Sequence, residues 1–165
     1  MASDAIDSKT WNVLATVEKW GRAEDRHAGL PADEVVEAAD NLLLNEGIGL
    51  LLDLLIGAGG TVFNNAGSYI GVGDSSTAAA ATQTGLQAAS NKDYQGMEAT
   101  FPSRASETVT WKAVWGSAEG NFAWEEWTIA NGNSDASTNL NRKVASLGTK
   151  SSGSEWTLTV TITVS

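Results

Sequence analysis

Few side chains in this sequence could take part in a reaction, and their spacing limits what the reaction could be. His27 is the single histidine and stands in a charged stretch, Gly21-Arg-Ala-Glu-Asp-Arg-His-Ala-Gly-Leu-Pro31. A Ser-His-Asp relay would have to be built on it, yet the serines lie in turn-like surroundings, not in a nucleophile elbow. The stretch reads as a long exposed loop and His27 as a solvated imidazole. Glu125 and Glu126 are adjacent. Neighbouring side chains of a strand leave on opposite faces, so the two cannot form the facing carboxylate pair that glycoside hydrolysis uses. Glu126, on the strand face of Phe122 and Trp124, is expected to be a buried or interfacial carboxylate tied to Arg142, Lys143 or backbone amides.

Gly71-Val-Gly-Asp-Ser-Ser-Thr77 has the glycine content of an anion-cradling loop. It lacks both the Gly-Lys-Ser/Thr ending of a P-loop and the third glycine of a dinucleotide fingerprint. The plainer reading is a tight turn shaped by Asp74 or Ser75, with Gly71 and Gly73 leaving one strand face bare enough for close approach. Asp74, Asp93 and Asp135 have no calcium-loop spacing. Trp124 and Trp127 could stack on sugar rings, although packing in a core accounts for them more simply. No catalytic residue, metal or cofactor is expected, and the chain reads as a protein that is not an enzyme.

The elements that carry these residues are mostly short strands. Residues 11–20 alternate in part, with Trp11, Val13, Ala15 and Val17 on one face and Leu14 interrupting the other. Residues 34–44 are expected to return as the second strand of a hairpin. From Asn45 a helix is expected, capped by Asn45 and stopped by Gly57, with Ile48, Leu51, Leu52 and Leu55 on one face and Leu50 and Leu54 widening it. A short helix that is apolar nearly all round belongs in a core or against a partner subunit.

Residues 69–73 read as a small strand, and 77–82 as a helical turn or a surface loop. Further strands are expected at 94–101, 108–115, 122–129 and 140–147, separated by Gly-, Asn- and Ser-rich turns. The chain closes on Trp156, Leu158, Val160, Ile162 and Val164, alternating with four threonines, which puts five apolar side chains on a core face. The fold class is therefore mainly β: an antiparallel β-sandwich, with a jelly roll as the first variant to consider, an N-terminal β-hairpin and one or two short helices. Residues 1–60 would form the N-terminal arm and Leu-rich helix, and residues 61–165 the sandwich body, together one compact unit.

Charge narrows the partners. The 165 residues hold 20 acidic and 10 basic side chains, a net charge of −10, which disfavours nucleic acid and anionic membrane. Residues 1–60 carry 11 of the acids against 4 bases. The absence of cysteine excludes thiol chemistry and disulfides. No signal-peptide pattern is seen at the start, and the apolar run 42–56 is too short and too polar for a membrane span. The seven Trp, five of them at 111 and beyond, promise dense packing in the last third, with some indole left for an interface.

Several pieces together resemble a family of small structural proteins of tailed bacteriophages. They are Asn41-Leu-Leu-Leu-Asn-Glu-Gly-Ile48, Tyr69-Ile-Gly-Val-Gly-Asp-Ser-Ser-Thr77, Thr82-Gln-Thr-Gly-Leu86, Phe122-Ala-Trp-Glu-Glu-Trp127, Leu140-Asn-Arg-Lys-Val144, Leu147-Gly-Thr-Lys150 and the terminal Trp-Thr-Leu-Thr-Val-Thr-Ile-Thr-Val. The resemblance implies a β-rich virion component without enzymatic activity, made in the host cytoplasm and carried on the particle.

A capsid decoration or cement protein is the leading expectation, with the major capsid protein and further copies of itself, as a homotrimer, for partners, and neither nucleic acid nor membrane. Alternatives are a tail, adaptor or fibre component, or a virion module that binds a glycan or receptor through Trp124, Trp127 or Trp111. Leu50, Leu54, Trp111, Trp124 and Trp127 are the candidates for a partner or oligomer surface.

Overall fold

The computed structural model describes residues 9–165. In chain order the elements are β1 (Trp11–Trp20), α1 (Ala23–His27), β2 (Glu34–Ala39), β3 (Leu42–Leu43), α2 (Asn45–Ile56), β4 (Tyr69–Gly73), β5 (Lys92–Gly96), β6 (Ser103–Ala105), β7 (Thr108–Trp115), β8 (Ala123–Ala130), β9 (Asn141–Thr149) and β10 (Glu155–Val164). They form two five-stranded antiparallel sheets, ordered β2-β1-β10-β7-β6 and β3-β9-β8-β4-β5. The protein is a mainly β sandwich, as the alternating segments predict. Hairpins stay within a sheet, and the chain changes sheets after β2, β5, β7 and β9.

The core lies between the sheets. From the first come Val13, Ala15 and Val17 of β1, Trp156, Leu158, Val160 and Ile162 of β10, and Trp111, Ala113 and Trp115 of β7; from the second come Ile70, Val72, Trp124, Trp127, Ile129 and Leu147. Trp124 stands edge-on to both Trp115 and Trp156, with ring centroids 4.8 and 4.9 Å away, and donates its indole N–H to Gly120 O at 2.9 Å. Such T-shaped pairs add about 0.5–1.5 kcal/mol each beyond the area they bury. The alternation of β10 buries four of its five apolar side chains, while Val164 reaches the rim.

β1 runs the whole length of β10, from Trp11 opposite Val164 to Trp20 opposite Glu155, and carries β2 on its other edge. The hairpin expected over 11–44 therefore forms, but it is no arm. It supplies a central strand, and the division at residue 60 does not separate two structural units. Residues 21–31 are not a free loop either, since α1 forms within them. Arg26 pairs with Glu155 at 2.9 Å and with Glu98, and Trp20 donates its indole N–H to Leu30 O at 2.9 Å. The strand expected over 94–101 starts earlier and ends at Gly96. From there the chain crosses to the other sheet, where Met97 bridges Ala113. β6 has no counterpart in the sequence reading, because three exposed residues show no periodicity.

α2 ends as expected at Gly57, whose φ of 71° is the left-handed conformation that closes a helix. Its start differs. Leu44 is the boundary residue, with no side-chain cap, and the Glu46 carboxylate instead accepts the Asn139 amide at 2.7 Å. The helix docks through Gly47, where an added Cβ would lie 2.6 Å from Leu140 Cα, and through buried Leu50. Gly47→Ala should lift this docked turn and cost about 1–3 kcal/mol; an unchanged denaturation midpoint would refute the close approach.

Candidate functional site

The polar residues with chemical potential gather on the outer face of the second sheet, beneath the loop of residues 74–91. Trp124, Trp127 and Ile129 all point into the core, although strict alternation would send Trp124 and Trp127 to opposite faces. A register shift between Trp124 and Glu126 resolves this, since the extra residue of a bulge reverses the parity of the residues after it. Glu126 is thus turned away from Trp124 and onto the outer face, which corrects the expected shared face. Glu125 separates from it and accepts from Ser146 Oγ at 3.0 Å.

Glu126 is fully buried and saturated. It accepts the amide of Gln87 at 3.0 Å, the amide of Ala88 at 2.8 Å and Arg142 Nε at 2.6 Å. Arg142, equally buried, donates from Nη1 to Gln83 Oε1 at 3.0 Å. Gln83 in turn accepts the Ala80 amide and donates to Ala78 O, which holds its own loop in shape. One carboxylate, one guanidinium and one carboxamide so fasten a loop without regular structure to β8 and β9. The expected partners of Glu126, Arg142 and backbone amides, are the observed ones; Lys143 is not among them.

The two strand glycines make the room. A Cβ at Gly73 would lie 2.6 Å from Glu126 Oε1, and one at Gly71 would lie 2.5 Å from Tyr94 Cε1. What approaches the bare face of β4 is therefore the protein's own carboxylate and phenol ring. Tyr94 donates to Asp135, whose other oxygen takes Lys92 and which also accepts the Leu86 amide at 3.1 Å. Burial first, and then the bond to Asp135, push the Tyr94 phenol well above its usual range. It is held as a donor.

Lys92, Tyr94 and Asp135, with Asp93, Asn133 and Ser134, line an open depression of about 390 Å³. A second cavity, of about 310 Å³, is bordered by Asp40, Asn41, Leu42, Ala79, Lys143, Val144 and Arg142. Arg142 has no accessible surface, so its guanidinium does not open into it. Nothing in the sequence draws attention to either depression, because their walls come from segments far apart in the chain.

The remaining candidates fall in separate places. His27 is largely exposed, with Nε2 3.4 Å from Glu155 Oε2. Asp74 accepts from Asn91 at 2.7 Å and Asp93 from Gln95 at 3.0 Å, so the three aspartates serve different partners. Among the described residues no three His, Cys, Asp or Glu side chains gather as metal ligands would, and no helix is long and apolar enough to cross a membrane.

Trp111, Trp124 and Trp127 are buried in the core and present no ring face to a partner or a sugar, which corrects their selection as surface residues. Leu50 is also buried, and Leu54 is half-buried. Lys150, within the Leu-Gly-Thr-Lys piece, is buried too and donates to Gly116 O, Asn121 Oδ1 and Ser154 O at 2.7, 3.1 and 2.9 Å. Burial draws its pKa below the ordinary lysine value.

Comparison with family models, curated proteins and solved structures finds no match.

Removing one member of the Glu126–Arg142 pair leaves the other buried and uncompensated, a loss of about 3–5 kcal/mol. Glu126→Leu should accordingly unfold at markedly lower denaturant, and the double variant Glu126→Leu/Arg142→Leu should recover part of the loss. A double variant as unstable as the sum of the two single ones would disprove the coupling.

Proposed function

We propose that this protein is a non-enzymatic structural component of a bacteriophage virion, and that it acts as a capsid decoration protein on the major capsid shell. The observation that carries the reading is where the family-like pieces converge. Tyr69–Gly73, Gln83, Glu126 and Arg142 come from four of those pieces, and they meet in the polar lock under residues 74–91. Lys150, from a fifth, fixes the turns at the end of the sandwich. The residues behind the resemblance are those that make the scaffold rigid. Glu126 has its carboxylate oxygens engaged by Arg142 and two amides, which suits a module whose work is to be held in place.

A net charge of −10 favours a basic surface on the partner, where complementary charge speeds encounter and fixes orientation. The shell of the major capsid protein is that partner in this reading. Further copies of this chain complete each decorating unit as a homotrimer.

Recombinant protein mixed with expanded, undecorated capsids of the phage that encodes it should bind at a fixed copy number and raise the temperature at which the shells disrupt. Binding should weaken as salt is raised, because exposed opposite charges are screened beyond about 8 Å at physiological ionic strength. Shells that take up no protein would sink the decoration role. Density at the tail or portal would replace it with the tail-component alternative.

A further inference from the structure

Only the inner side of α2 is used by the sandwich. Its outer side shows Ile48, Leu52, Leu55 and Ile56, spaced i, i+4, i+7 and i+8, which is one continuous stripe of a helix. They are 40%, 56%, 80% and 77% exposed. Together they leave on the order of 450 Å² of apolar surface in water, well into the range of the largest patch that a monomer ordinarily shows.

Gly49 borders this stripe. Glycine inside a helix costs about 0.5–1 kcal/mol relative to alanine. At Gly47 the close approach of Leu140 accounts for that cost, whereas a Cβ at Gly49 would meet nothing within 4 Å. The single chain gives no steric reason for Gly49. A second helix backbone lying close against the stripe would supply one.

We infer that α2 is a self-association surface, on which the stripe of one copy packs against the stripe of another beside Gly49. Charge argues for a second copy over a foreign partner. The helix carries no basic residue in its last turn, Glu46 is engaged with the Asn139 amide, and Asp53 lies off the stripe. On a body of net charge −10 this is a strip with no charge to offer a basic partner, but it complements itself. Two stripes bury about 900 Å² from these side chains alone, and flanking backbone brings the contact to the roughly 1,000 Å² that a specific interface needs. The inference deepens the proposed reading by identifying the surface that joins the copies, and it rests on that reading only for the partner being another copy.

The test is sedimentation of the isolated full-length protein, without capsids, so that its failure leaves capsid binding to be judged separately. Up to about 100 µM, a range that detects weak association, the protein should form a dimer or trimer. Association should strengthen between 0.1 and 1 M salt, as the screening length falls from about 10 to about 3 Å and repulsion between the acidic bodies fades. Leu55→Glu, at the most exposed position of the stripe, should weaken association at least tenfold. Gly49→Leu should do the same while raising thermal stability of the monomer, a combination that misfolding cannot produce. Val35→Glu, an equally apolar and exposed site on β2, should leave association unchanged. A monomer at every concentration and salt, association that weakens with salt, or oligomers indifferent to both α2 variants would overturn the inference.

Discussion

The carboxylate of Glu126 is the point through which three parts of the molecule are held together. It belongs to β8, it is neutralised by a guanidinium from β9, and it receives two amides from the loop of residues 74–91. A charged group has that reach because a buried carboxylate is tolerable only when its lone pairs are filled by donors in good geometry. The loop supplies part of that filling. Its ordering and the ionisation of Glu126 are thus one requirement, and the glycines of β4 let the loop and the carboxylate come within reach.

Below that face the sandwich is held by indole packing. Trp115, Trp124 and Trp156 meet edge to face where strands of both sheets converge, and Lys19 lies 4.6 Å over the Trp156 ring. The outer polar face and the inner aromatic one share β8, whose bulge assigns Trp124 and Trp127 inward and Glu126 outward. A strand without that extra residue would have to bury Glu126 among the tryptophans or turn one tryptophan to the loop.

Much of this is legible in the sequence, for reasons that differ by element. The Thr alternation of β10 and the Trp-Val-Ala-Val series of β1 record a half-buried pleat directly, and Gly57 marks a helix end that needs a left-handed residue. Glu126 can be assigned a basic partner because a lone acid among tryptophans needs one. Its direction is legible only when two tryptophans three residues apart are recognised as a bulge, which is the signal that alternation alone discards. The Leu-rich helix shows why a partner is needed but not which side it would meet, since apolar residues surround the axis and only the bare Gly47 betrays the docked face. The Lys92, Tyr94 and Asp135 cluster leaves no local trace, because it is made by segments more than forty residues apart.

The pairing of β1 with β10 has a consequence for how the chain acquires its shape. Trp11 faces Val164 across nearly the whole sequence. Hairpins such as β1–β2 and β8–β9 can form from neighbouring residues, yet the first sheet lacks its middle strand until residues 155–164 arrive. Until then β1 and β7 each present an unpaired edge, the kind of template on which chains join wrongly. Native assembly is therefore a late, ring-closing event with high contact order and slow kinetics. During synthesis the sandwich remains an open clasp, fastened only when β10 slides between β1 and β7.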